Sequence, residues 1–236
     1  MNLILLFKDD FIDNTNRARL DGRRFQHIAD VHHASTGDEL TVGLVDGFIG
    51  RGRIISMSND AVEMEVHLMK KPPDPLPVTL VLALPRPKVL RRVLITASSM
   101  GVKRIYLINA FRVEKSFWKS PLLSGEPMRH QLILGLEQAG DTIMAEVLLK
   151  PLFRPFVEDE LPGLIKGSTP LVAHPGAASE CPENNGGHIT LAVGPEGGFI
   201  PYEIEKFREC GFAAFHMGER VLRVEAALPA LLSRLF

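Results

Sequence analysis

Two segments in the last quarter of the 236-residue chain gather residue types that could do chemistry. In Arg223-Val224-Glu225 a guanidinium and a carboxylate stand two positions apart. A carboxylate so placed can take a proton as a general base, and a guanidinium can stabilise a developing negative charge. The same pair also reads as a surface ion pair, which contributes little. The other segment is Gly194-Pro195-Glu196-Gly197-Gly198-Phe199, whose three glycines let the backbone take positive φ and approach a ligand closely. No Lys-Ser or Lys-Thr follows them, so this is not a phosphate-binding P-loop. The dinucleotide spacing G-x-G-x-x-G is missing too, which weakens a nucleotide-binding oxidoreductase. Taken alone, the turn is equally compatible with a purely structural role. Cys181 and Cys210 are too few for a disulfide framework or a zinc site, so a reducing, cytoplasmic setting and no metal are expected.

Both segments need elements to hold them. Each follows an apolar run (residues 189–193 and 212–217) and precedes a helical pattern (201–210 and 224–235), with Pro201 suited to a first turn and Pro229 expected to limit or kink the last helix. Further buried strands are expected at 78–84, 104–108 and 170–173, and helices at 88–100 and 128–139, ended by Gly101 and Gly140. This alternation predicts an α/β domain with a largely parallel sheet. Ligands bind such sheets beyond the carboxyl ends of the strands.

The first seventy residues read differently. Residues 3–7 form a short apolar strand, without the basic flank of a signal peptide. Residues 23–32 have helical spacing, with Asp21 available as a cap. Residues 38–45 and 48–57 form a hairpin about Asp46-Gly47. Residues 61–68 alternate Val62, Met64, Val66 and Leu68 inward. Four prolines within 71–77 make a stiff spacer, which predicts a β-rich domain at 1–71, a linker at 72–77 and an α/β domain at 78–236. Residues 176–187 read as a mobile loop. No apolar run is long enough to span a membrane. Net charge is −1, yet residues 86–129 carry ten Lys and Arg against Glu114 and Glu126 only. Such a block fits a polyanion contact or a solvated helix face.

Taken together, the residues resemble a known class. The segment 194–199, a helix, Gly211-Phe212, and then Met217-Gly218 through Arg223-Val224-Glu225-Ala226-Ala227 resemble the SPOUT class of knotted RNA methyltransferases. Within that class they are most similar to the RsmE family, which methylates N3 of a uridine in 16S ribosomal RNA. Leu82-Ala83-Leu84-Pro85-Arg86, Met100-Gly101-Val102 and Glu137-Gln138-Ala139 fit the same catalytic domain, and the β-rich part fits a PUA-like barrel. The pattern departs at Ala139-Gly140-Asp141, where a small polar residue and an arginine are usual. It departs also at Ser99-Met100, in place of Glu-Leu, and at Ala226, in place of threonine.

The resemblance implies a deep trefoil knot, a homodimer and S-adenosyl-L-methionine as methyl donor. It implies donor contacts from Leu84, Val172, Ala173, His174, Gly194, Pro195, Glu196, Gly197, Gly198, Met217, Gly218, Val221, Leu222, Arg223 and Ala226, with Arg223 and Glu225 as catalytic candidates. RNA phosphates would meet Arg17, Arg19, Arg23, Arg24, Arg51 and Arg53, and in the basic block Arg86, Lys88, Arg91 and Arg92. A SPOUT enzyme acting on another RNA such as tRNA, or a non-catalytic RNA-binding or assembly protein of the same fold, remain alternatives.

Overall fold

The computed structural model describes residues 2–13, 15–183 and 186–236. It divides into two compact units, Met1–Asp74 with Ile133–Met144, and Pro75–Leu132 with Ala145–Phe236.

The first unit contains strands β1 (Ile4–Leu6), β2 (Arg17–Asp21), β3 (Glu39–Leu44), β4 (Ile49–Met57) and β5 (Ala61–Lys70), with helix α1 (Gly22–Asp30) between β2 and β3. They form one sheet in the order β1-β3-β4-β5-β2, in which only the β1–β3 pair is parallel. The β3–β4 hairpin turns at Asp46, whose φ is 56°, and closes where the Gly47 N–H donates to the Leu44 carbonyl at 2.8 Å. Val62, Met64 and Val66 point into a core shared with Leu20, Ile28, Val42 and Ile54. Strand β2 is not signalled by the sequence, because Ala18 and Leu20 alone face inward between charged neighbours. Asp21 does precede α1, but its side chain caps nothing; Gly22, at φ 52°, turns the chain into the helix.

A buried charge organises this unit. The Glu137 side chain is fully enclosed (0% exposed) and both its oxygens accept from Arg23 Nη2, at 3.0 and 2.9 Å. Burial pushes the Glu137 carboxyl above its ordinary value while Arg23 pulls it down. The Glu137 carbonyl also accepts from the Asn2 and Leu3 N–H groups, at 3.0 Å each, which fastens the start of β1.

The second unit contains strands β6 (Val78–Ala83), β7 (Arg104–Ile108), β8 (Glu146–Lys150), β9 (Thr169–Ala173), β10 (Ser179–Glu180), β11 (Ile189–Val193) and β12 (Ala213–His216). All pair in parallel, in the order β10-β12-β9-β11-β6-β7-β8. The expected parallel α/β architecture is therefore present. Central β6 and β11 are buried along their whole length, as strands covered on both faces must be.

The helices are α2 (Pro87–Ser99), α3 (Gly125–Ala139), α4 (Phe153–Pro155), α5 (Leu161–Leu164), α6 (Pro201–Glu209) and α7 (Val224–Leu235), with α3 from Ile133 onward grouped with the first unit. Pro87 opens α2, Leu90, Val93, Leu94 and Ala97 bury one face, and Gly101 at φ 81° ends it. Each of the three larger side chains contributes roughly 1.5–3 kcal/mol by leaving water. Helix α7 packs on α2 and runs unbroken through Pro229, because the single lost hydrogen bond falls on the Glu225 carbonyl in its first turn. Residues 71–77 form neither helix nor strand. Within the expected loop 176–187, Ser179–Glu180 pair with β12, while residues 184 and 185 lie outside the described residues, as does Met1. No helix among the described residues is long and apolar enough to cross a membrane.

Removing Arg23 leaves an enclosed carboxylate without its partner. Arg23→Ala should destabilise the protein by roughly 2–3 kcal/mol, less than the 3–5 of a fully buried pair because Arg23 is half exposed. Arg23→Ala with Glu137→Gln should recover much of the loss in urea unfolding; equal stability of single and double variants would show that the pair does not hold this unit.

Candidate functional site

Strands β11, β9 and β12 are neighbours in the second sheet and run in one direction, so their carboxyl ends release three loops at one edge. From β11 comes the glycine loop. A Cβ on Gly194 would lie 3.1 Å from the Phe199 nitrogen and 3.2 Å from its ring, so the loop can fold back only over a glycine. The turn closes where the Gly198 N–H, at φ 72°, donates to the Pro195 carbonyl at 2.7 Å. Phe199 then plugs the core against Phe207, with ring centroids 5.1 Å apart.

Two carboxylates fasten this loop. Glu196 Oε1 accepts the backbone N–H of Arg86 at 3.0 Å. Glu203, only 2% exposed, accepts the Ile200 N–H at 2.9 Å and thereby caps α6, while its other oxygen accepts the Phe111 N–H at 2.6 Å. That second bond brings in the loop after β7, from which Arg112 donates to the Gly197 carbonyl.

From β9 comes His174, whose N–H donates to the Phe215 carbonyl at 2.9 Å. Its Nδ1 is buried without a hydrogen-bond partner. Burial, then the charges of Arg208 and Arg112, hold its pKa below the ordinary 6.5, so the ring is neutral at pH 7. From β12 comes Met217-Gly218, stabilised by the Gly218 N–H donating to His216 Nδ1 at 3.0 Å. Arg223 then begins α7, its carbonyl accepting from Ala226 and Ala227 at 2.9 and 2.7 Å.

The three loops enclose a cavity of about 340 Å³, within the size range of small-molecule sites. Of the residues singled out in the sequence, Ala173, His174, Gly194, Pro195, Glu196, Gly197, Gly198, Met217, Gly218, Val221 and Leu222 line it together. Leu84 and Val172 are buried in the sheet, and Arg223 and Ala226 are exposed at the start of α7; none of these four lines the cavity. Glu225 also stands outside it, with Oε1 3.6 Å from Arg92 Nη1. The lining adds Arg112, Pro175, Val193, Phe199, Phe215, His216, Arg220, Val224, Ala227 and Leu231. Of these, Phe199 stands in the quoted glycine motif, Arg220, Val224 and Ala227 stand in the quoted segment from Met217 to Ala227, and His216 lies just before it. Arg112 has the weaker signal of following a strand whose carboxyl end faces the same way.

The candidate phosphate contacts fall into different settings. Arg86, Lys88 and Arg91 are exposed at the start of α2, beside Arg92. Arg17 and Arg19 lie 3.8 Å from Glu63, exposed pairs that cost little to exchange for phosphate. On β4, Arg51 donates to Thr41 Oγ1 at 3.4 Å, and Arg53 stands in register with Glu39 and Glu65. Arg23 is held by Glu137, as described. Arg24 is enclosed: its guanidinium bonds the Leu5 carbonyl and both Asp10 oxygens, at 3.0, 2.5 and 2.7 Å, and lies over the Phe7 ring. It is committed to holding the fold.

The neutral state of His174 has a measurable consequence. Its folded pKa is depressed, so the stability it contributes is complete above 6.5 and is lost as pH falls through the lowered value. His27 shifts in the same sense, so the test is a difference: His174→Gln should lose less stability than the wild type between neutral pH and mild acid in urea titrations. Equal losses would mean that His174 is not held neutral by its surroundings.

Residues 72–236 match the RNA methyltransferase domain family. The chain is 30% identical to ribosomal RNA small subunit methyltransferase E of Treponema pallidum, over 96% of this chain and 87% of that protein. It is 25% identical to the protein of the same name from Mycobacterium bovis, over 96% and 88%. Among solved structures it resembles ribosomal RNA small subunit methyltransferase E from Neisseria gonorrhoeae bound to S-adenosyl methionine, with TM-score 0.72, 19% identity and coverage of 98% and 95%. It also resembles a putative methyltransferase from Legionella pneumophila in complex with the same cofactor, with TM-score 0.73, 21% identity and coverage of 99% and 96%.

Proposed function

Because the chain belongs to the RNA methyltransferase family, and within it to the ribosomal RNA small subunit methyltransferase E group, we propose that it transfers a methyl group from S-adenosyl-L-methionine to N3 of a uridine in 16S ribosomal RNA. The observation that carries this reading is the cavity formed by three loops at one edge of a parallel sheet, two of them turning on glycine. The donor fits such walls. Gly194, Gly197 and Gly198 expose backbone to a flat base, Phe215, Val221 and Leu222 supply apolar surface, and the unpartnered His174 Nδ1 awaits a polar group.

When bound, the donor supplies an electrophilic methyl carbon on a sulfonium. The protein must align the acceptor nitrogen in line with it, and alignment accounts for much of the rate. Uracil N3 carries a proton at neutral pH. That proton leaves to a base or to solvent, the N3–carbon bond forms as the carbon–sulfur bond breaks, and the donor departs as an uncharged thioether. Arg223 and Glu225, between β12 and the first turn of α7, are the candidate catalytic pair. In the structure Glu225 is paired with Arg92, so use as a base requires that pair to open.

The finer architecture belongs to the same reading. A trefoil knot is supported by β12 lying beyond β9 from β11, with α7 returning to pack on α2. A homodimer is supported by the exposed Val221 and Leu222 beside the cavity. Residues 1–71 are read as the PUA-like RNA-binding domain, 72–77 as linker and 78–236 as the methyltransferase domain, with 133–144 grouping with the first unit. RNA would lie on the exposed arginines of β2 and β4 and on Arg86, Lys88 and Arg91. The enzyme would act in the cytoplasm, where its two unpaired cysteines stay reduced.

Incubation with small ribosomal subunits and labelled donor should yield N3-methyluridine by mass spectrometry of digested 16S RNA. Product in tRNA alone would redirect the substrate, and no donor binding by calorimetry at millimolar concentration would favour a non-catalytic RNA-binding role. RNA affinity should fall steeply with salt. Arg223→Ala should leave donor binding nearly intact while lowering turnover; loss of donor binding would assign Arg223 to the cofactor instead.

A further inference from the structure

Arg112 is a cation that the reaction described above does not yet use. It lines the cavity. Its recorded hydrogen bond goes to the neutral Gly197 carbonyl, and no carboxylate pairs with it among the described residues. By contrast Arg92, Arg104, Arg154 and Arg208 each face a glutamate. One bond out of a guanidinium's five donors leaves the fork free to meet a ligand.

Its position is set from three directions. The stem lies against the Gly197 backbone so closely that a Cβ there would stand 2.9 Å from Arg112 Cδ. The preceding N–H, of Phe111, is held at 2.6 Å by the enclosed Glu203 carboxylate. At the start of the same loop Asn109 Oδ1 accepts from Trp118 Nε1 at 2.9 Å. A charged donor fixed in advance is the arrangement that stabilises charge appearing during a reaction, because nothing must reorganise as the charge develops. Phe111, 78% exposed on the same fastened loop, offers an apolar ring face beside it. An enzyme acting on a base takes that base out of the stack and holds it by stacking and by hydrogen bonds to its edge.

We propose that Arg112 is a catalytic residue that receives the acceptor uracil, its guanidinium taking up the negative charge that N3 shares with the two flanking carbonyl oxygens as the N3 proton leaves. The inference rests on the methyltransferase reading of the cavity. Loss of that proton to solvent creates the charge, and bond formation to the incoming methyl carbon cancels it. Arg112 acts between these events and is unchanged by them. Glu203 is a positioning residue that acts through Arg112.

The test uses the full-length protein with small ribosomal subunits, measuring donor affinity by calorimetry and single-turnover methyl transfer across pH. Arg112→Ala should bind the donor within about threefold of wild type. It should transfer methyl roughly 10²–10³-fold more slowly near neutral pH. The deficit should shrink at alkaline pH, where uracil ionises unaided, moving the rate profile up by about one unit. Arg112→Lys should recover part of the rate, and Glu203→Gln should lower the rate constant with the same alkaline displacement. Donor binding weakened tenfold or more in Arg112→Ala would move Arg112 to the cofactor and overturn the proposal. An unchanged rate, or a slow rate with an unmoved pH profile, would overturn it as well. A wild-type protein that binds no donor would instead overturn the methyltransferase reading, and this inference with it.

Discussion

A parallel strand delivers its carboxyl end to the same edge as its neighbours, and the rest of the site depends on that constraint. Strand β9 sits between β11 and β12 with all three in one direction. Loops separated by more than forty residues in sequence, from His174 through Gly194 to Met217, must therefore meet. Backbone ladders such as Leu191–Leu171 and Ala213–Leu171 set the height at which each loop departs. The burial of β6 and β11 on both faces makes those ladders hard to disturb.

On this frame, enclosed carboxylates do the joining that apolar packing cannot. Glu203 accepts two backbone N–H groups, one from the start of its own helix and one from the loop after β7. An acid with both oxygens satisfied by donors is stable when buried, and losing it would orphan two N–H groups at once. Glu137 plays the matching part in the first unit, with a guanidinium as its partner and the chain start held by its carbonyl. In each unit one buried acid converts a loop position into a fixed one. Apolar contacts, being non-directional, specify position less sharply.

How far this was legible in the sequence depends on how each residue carries its signal. Residues 78–84 announce a strand because six apolar side chains, interrupted only by Thr79, have nowhere to go but between layers. Helix α2 is legible from Pro87, the buried spacing of Leu90, Val93, Leu94 and Ala97, and Gly101. Strand β2 is not, since Arg17, Arg19 and Asp21 outnumber Ala18 and Leu20; strand β8, half-buried at the sheet edge, is masked in the same way by Glu146 and Lys150. Asp21 looked like a cap, but the turn into α1 is made by Gly22, so the capping bond has no geometry to form in. The glycine loop was visible as glycines. That His174 lies beside it came only through the family resemblance, and that Arg112 does was not visible at all, because only strand order decides it.

The lining itself explains why the fold persists at 19–30% identity. Glycine backbone and small or apolar side chains make most of the wall, and a flat ligand held by backbone groups places few demands on side-chain identity. Departures such as Ala226 fall on an exposed position outside the cavity and need not disturb it. Demands on identity concentrate instead where a side chain has an unmet bond or an uncompensated charge. Among the described residues the cavity lining holds His174, whose Nδ1 lacks a partner, and Arg112 and Arg220, neither of which pairs with a carboxylate. His174 and Arg112 are also coupled: the Arg112 charge helps hold His174 neutral. A cavity that keeps His174 uncharged and leaves Arg112 without a carboxylate offers a polar ring nitrogen and a cation in one lining. That is the arrangement the proposed chemistry calls for, in which a neutral base is bound and its anion stabilised.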